Sequence, residues 1–153
     1  MEFIEPKLEQ ALIYLERLEP ETKALWGTMN AQRMVEHLTD AIRMAQGKGD
    51  YKLEIPEDKV AKAQAFLISD YPMPRNFQAS FAPIEYSLRN EEMALAIDEF
   101  VQEWLSFEEY YQEEEGRTNL HPNFGILNYE QWLRLHAKHL THHFQQFALI
   151  PES

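Results

Sequence analysis

The sequence predicts an all-α protein, a four-helix bundle whose second and third helices are joined by a long crossover. Apolar residues recur every three or four positions in four separate stretches, and each stretch carries its own start or stop residues. One long irregular connection, residues 48–89, parts the second stretch from the third. A chain of 153 residues suits a single domain, 1–153, with room for a real core.

The first helix is expected over residues 5–18, where Leu8, Leu12, Leu15 and Leu18 share one face. Pro6 suits its first turn, where a missing N–H costs nothing, and Pro20 ends it. The second helix is expected over 31–46, with Asn30 as N-cap, Met34, Leu38, Ala41 and Ala45 as apolar stripe, and Gly47 as C-cap glycine. The preceding LWGTM is expected to pack Trp26 and Met29 on that helix start. Within the connection, EDKVAKAQAFLIS reads as a short helix after Pro56, while Pro72, Pro74 and Pro83 make the rest extended. Phe66, Leu67, Tyr71, Phe77, Phe81, Ile84 and Tyr86 call for burial, and a small strand pair fits there. The third helix is expected over 90–115, capped by Asn90, with Leu95, Ile97, Phe100, Val101, Trp104, Leu105 and Phe107 as its face and Gly116 as its stop. A loop containing HPNFG, 121–125, then leads to a fourth helix over 129–147, where Asn128 and Gln131 form a capping-box pattern.

The formal net charge of −12 repels phosphate backbones and anionic membrane surfaces, so neither nucleic acid nor membrane is an expected partner. There are no cysteines, so a bound metal needs His, Asp, Glu or water as ligands. The opening MEFIEPKLEQ is acidic where a secretion signal is basic and then apolar, which makes a cytoplasmic location the expectation.

Four of the six histidines fall in the fourth helix, in HAKHLTHH. His139 and His143 stand one turn apart, about 40° around the helix, so both imidazoles reach one ion. The face they share also carries Trp132, Leu135 and Phe147, so it is a buried face, where a polar ring needs a partner. On that helix alone, a metal and a cross-bundle hydrogen bond to an acid are equally open readings. His37 tips the balance, because it interrupts the apolar stripe of Met34, Ala41 and Met44 on another helix and supplies a third ligand. Three histidines leave coordination positions for water or substrate, the arrangement of a catalytic site. His136 shares the face but lies about 10 Å along the axis from His143. With Trp132 it is expected to line the pocket or steady the ligands. His142 points about 100° away from His143. His121 is assigned to helix entry, where it positions Phe124. Glu36, Asp40 and Glu130 are candidate acid–base helpers, with Glu36 expected to be a surface charge.

Two stretches, WGTMNAQRMVEHL at 26–38 and HPNFGILNYEQWLRLHAKHLTHHFQQF at 121–147, resemble the DinB/YfiT-like superfamily and most of all its DUF1569 branch. The likeness lies in a Trp-Gly-x-Met entry before the first His, a His-Pro-x-Phe-Gly loop before the last helix, and an HxxHH pattern within it. Residues 48–115 match only in outline. The resemblance implies a four-helix bundle holding a divalent ion (zinc, nickel or iron) on His37, His139 and His143. It also implies a homodimer. Some relatives are metal-dependent thiol S-transferases, so the expected activity is thiol transfer or hydrolysis on a small molecule. With no cysteine in the chain, the thiol would be a low-molecular-weight cosubstrate. The competing expectation is a non-catalytic metal-binding or interaction protein with a structural or vestigial site.

Overall fold

The computed structural model describes residues 2–75, 79–80, 82–83 and 86–152. Those residues form five α-helices, a short 3₁₀ turn and one two-stranded hairpin, in the order α1 (Leu8–Leu15), α2 (Ala31–Met44), the 3₁₀ turn (Glu57–Lys59), α3 (Val60–Ile68), α4 (Met93–Glu113), β1 (Thr118–His121), β2 (Gly125–Asn128) and α5 (Tyr129–Gln146). None of these helices is long and apolar enough to cross a membrane. The protein is mainly helical, as its apolar periodicity predicts.

The ends of α2 follow the chemistry of its flanking residues. The Asn30 side chain accepts from the Arg33 backbone N–H at 2.8 Å. At the other end Gly47 adopts φ 73°, and the Lys48 and Gly47 N–H groups close back onto the carbonyls of Arg43 and Met44. That is the glycine-terminated helix end the sequence predicts. The start of α5 carries both halves of its capping box, Gln131 N–H to Asn128 Oδ1 and Asn128 N–H to Gln131 Oε1, each 2.9 Å. Its far end turns through Ala148 at φ 58°, with Leu149 N–H returning to the Phe144 carbonyl at 2.8 Å.

The core is drawn from every major helix. Ala11 and Leu15 of α1 meet Met34, Leu38 and Ile42 of α2, Phe100, Trp104 and Phe107 of α4, and Trp132, Leu140 and Phe144 of α5, all buried. Each large side chain removed from water contributes on the order of 1.5–3 kcal/mol. This packing fixes α2 against α5 and brings their histidines together.

Several expectations need correction. Helix α1 begins at Leu8 with Lys7 as its cap, so Pro6 lies just outside it, and Leu18 is buried from a turn beyond its end. Asn90 does not cap α4, because its side chain donates to the Glu36 carboxylate at 3.2 Å; Glu92 takes the cap position. Leu95 and Leu105 of α4 are exposed rather than part of its buried face. The strand pair expected within 48–89 is absent among the described residues. A hairpin instead occupies the stretch read as a loop, with Leu120 opposite Ile126 and His121 opposite Gly125. Of the aromatic and aliphatic residues expected to be buried in the connection, Leu67 is buried, Phe66 and Tyr86 are half-buried, and Tyr71 is exposed. Phe77, Phe81 and Ile84 lie outside the described residues. Trp26 packs on α5 instead of the α2 start: its ring lies 5.6 Å from that of His142 and its carbonyl accepts from Gln146 Nε2.

Candidate metal centre

Helix α2 presents His37, and α5 presents His139 and His143 one turn apart, so that one nitrogen of each lies within 4.8 Å of the others. His139 Nε2 stands 2.9 Å from His37 Nε2 and 3.1 Å from His143 Nε2. The rings meet edge to face, with centroids 4.7 to 4.8 Å apart. Three nitrogens about 2.0–2.1 Å from a tetrahedral zinc would be about 3.3 Å apart, close to this spacing. Among the described residues no Asp or Glu joins the group.

Gln146 decides how His143 is protonated. Its Nε2 donates to the Trp26 carbonyl at 2.9 Å, which turns its Oε1 toward His143 Nδ1 at 2.7 Å. His143 therefore donates from Nδ1, and its Nε2 carries the lone pair that faces the other two rings. The loop that supplies the carbonyl is itself pinned, since Leu25 N–H donates to the Gln146 carbonyl at 2.7 Å. A side chain at Gly27, which sits at φ 79°, would place Cβ 2.8 Å from Gln146 Nε2.

Without a cation the trio is poorly satisfied. At most one N–H, on His139 or on His37, fits among the three nitrogens, so the contacts at 2.9 and 3.1 Å are not both full hydrogen bonds. Burial first, and mutual repulsion second, push all three imidazoles well below their ordinary value. They are neutral, which is the form that ligates metal.

The remaining three histidines lie outside the trio. His142 stays outside the trio against Trp26, and burial together with Arg75 lowers it to about 4. His136 is buried among Trp104, Phe107 and Trp132, with ring centroids 5.0 to 5.9 Å away, and burial lowers it to about 3. It shares a crevice with His139, Leu38, Ile42, Trp104 and Leu140 that has no room for water. Trp132 is buried between His136 and His121, and neither its Nε1 nor His136 Nε2 meets a hydrogen-bond partner among the described residues. His121 ends β1, and its Nδ1 accepts from the Asn123 N–H at 3.0 Å. It braces the hairpin turn against Phe124, while Asn128 caps the helix.

Of the three acid helpers, Glu36 is placed differently from expectation. Glu36 is fully buried, not a surface charge. It accepts from the Arg89 and Asn90 backbones, Asn90 Nδ2, Gln32 Nε2 and Tyr86 OH, so it anchors the segment entering α4. Asp40 pairs with Arg89 at 2.8 Å, and Glu130 is exposed in the first turn of α5. Sequence reading did not single out Gln146, a neutral residue three positions after His143, or Arg33, one turn before His37. Arg33 borders a cavity of about 200 Å³, also lined by Thr28, Met29, Asn30 and Tyr86, and its charge contributes to lowering both His37 and His143.

The model of the family described as "Protein of unknown function (DUF1569)" matches residues 2–149. No curated protein and no solved structure matches the chain.

Proposed function

We propose that this chain, which belongs to the DUF1569 family, is a metal-dependent enzyme of DinB/YfiT-like type, with one divalent ion on His37, His139 and His143. In this reading α1, α2, α4 and α5 are the four helices of the bundle, and the stretch between α2 and α4 is the crossover. The observation that carries the proposal is the convergence of three neutral imidazole nitrogens, at 2.9 and 3.1 Å, with no carboxylate completing the set among the described residues.

A divalent ion there would supply a Lewis-acid charge that lowers the pKa of water or of a thiol. The chain's own residues set the conditions. Gln146 holds His143 in the ligating tautomer, and the crevice between His136 and His139 has no room for water. A set of three histidines that no carboxylate joins among the described residues favours catalysis over a sealed structural site. The absence of cysteine makes an external low-molecular-weight thiol the nucleophile for S-transfer, and water the nucleophile for hydrolysis. The net charge of −12 supports a small-molecule substrate over nucleic acid.

The test is to load the purified protein separately with zinc, nickel and iron, then assay thiol transfer to an electrophilic acceptor alongside ester hydrolysis. Metal-dependent turnover that His37→Ala and His139→Ala abolish is the expected result. Stoichiometric metal with no turnover in either assay would favour the structural site.

A further inference from the structure

We propose that Arg33 is the recognition residue for a small carboxylate, held in the cavity that Arg33 lines, one helical turn from His37. This rests on the reading of the three histidines as a substrate-binding metal centre and names the class of substrate.

The Arg33 side chain is only 7% exposed, and its Nη1 has no hydrogen-bond partner among the described residues. A guanidinium N–H is costly to bury unmet, so an acceptor is the missing component. The nearest acid does not serve. Asp40 Oδ2 lies 3.9 Å from Nη1, beyond hydrogen-bond distance, and Asp40 Oδ1 is taken by Arg89 at 2.8 Å. The carboxylate of Glu36 is occupied by Gln32, Tyr86, Arg89 and Asn90.

Tyr86 fixes the plane of the guanidinium, with Arg33 Cζ 3.5 Å from the ring centroid. One face is thus covered, and the guanidinium is held in its plane at the wall of the cavity. A flat edge of paired donors matches a planar carboxylate better than it matches a neutral amide. The cavity has the rest of the required chemistry: Met29, Ala82, Pro83 and Leu88 supply apolar wall for a short hydrocarbon part. Its volume of about 200 Å³ suits a molecule a little larger than benzene, given that a cavity of roughly 150 Å³ takes benzene itself.

Position ties the two sites together. Arg33 and His37 are four residues apart on α2, so their Cβ atoms are about 5–6 Å apart on one face. A carboxylate on Arg33 would lie one helical turn from His37, in a cavity walled by Thr28, Met29, Asn30 and Tyr86.

The experiment is a calorimetric titration of the zinc-treated protein, and of metal-free protein, with benzoate and propionate, using benzamide as the uncharged counterpart of benzoate. Zinc content is measured separately for every sample. The parent is expected to prefer benzoate over benzamide by about tenfold or more, the ratio that one charge-assisted hydrogen bond provides. Arg33→Met should erase the preference and Arg33→Lys should reduce it, both with zinc content unchanged. Equal binding of benzoate and benzamide, or no binding of either carboxylate, would overturn the proposal. So would a preference that survives Arg33→Met and vanishes on zinc removal, because the anion would then sit on the metal alone. An Arg33-dependent preference in a protein that takes up no zinc would sink the metal reading and leave the carboxylate site standing. Should Arg33→Met fail to fold, Arg33→Lys decides: an undiminished preference overturns the proposal.

Discussion

Gln146→Leu isolates the residue that orients a metal ligand without itself being one. The substitution removes the acceptor for His143 Nδ1–H at 2.7 Å and the donor to the Trp26 carbonyl at 2.9 Å. Gln146 is buried, so water does not readily replace either bond. Each orphaned group costs about 1–3 kcal/mol, which sets a loss of about 2–6 kcal/mol in fold stability before relaxation. Free of its partner, His143 can carry its proton on Nε2 and withdraw its lone pair from the site. Removal of such an orienting partner lowers metal affinity about 10–100-fold. Zinc affinity is read by competition with a chromophoric chelator, and fold stability by urea unfolding of the metal-free protein. Gln146→Glu is the control: it keeps an acceptor for His143 but sets an oxygen against the Trp26 carbonyl. It should lose stability yet hold zinc as tightly as the parent or tighter. Unchanged zinc affinity in a folded Gln146→Leu would show that Gln146 does not orient His143 for metal.

Three further predictions concern the frame around the site. Burial works to raise the Glu36 carboxyl, but N–H donors from Arg89, Gln32 and Asn90 outweigh it and hold the group below the usual carboxylate range. A depressed folded pKa gives stability that is present at neutral pH and lost as pH falls through the folded value. Glu36→Gln should therefore cost about 1–3 kcal/mol at pH 7, with the gap to the parent closing below about pH 4 in urea unfolding. Lys138 is buried, with Nζ donating to the Phe66 and Tyr71 carbonyls at 2.6 Å each. Lys138→Met should destabilise by about 2–3 kcal/mol and release the end of α3, seen as faster amide exchange there. Ala148→Gly relieves an exposed left-handed residue and should stabilise by about 0.5–1 kcal/mol, raising Tm by about 1–4 °C in calorimetry.

The sequence carried the helices well because their signals are local. Asn30, Gly47 and the Asn128–Gln131 pair act within a turn of themselves, and the structure uses all of them as read. The histidine trio was legible for a related reason: a spacing of four on one helix and a lone polar residue in an apolar stripe survive without knowledge of the fold. What failed was long-range. Asn90 looks like a cap until the buried carboxylate of Glu36, 54 residues away in sequence, claims its side chain. Glu36 itself looks like a surface charge, because nothing near it in sequence announces the four donors that reach it from Tyr86, Arg89 and Asn90. The hairpin escaped because each strand is only four residues long, too short for alternation to show. Gln146 and Arg33 have ordinary helical positions, and only their partners reveal their roles.

The central claim, that His37, His139 and His143 together hold one divalent ion, is tested most directly by zinc stoichiometry after reconstitution of the parent and five single alanine variants. One zinc per chain is expected in the parent, in His142→Ala and in His136→Ala, with sharply weakened binding in His37→Ala, His139→Ala and His143→Ala. Full retention of zinc in His37→Ala and His143→Ala, with loss in His136→Ala or His142→Ala, would contradict it.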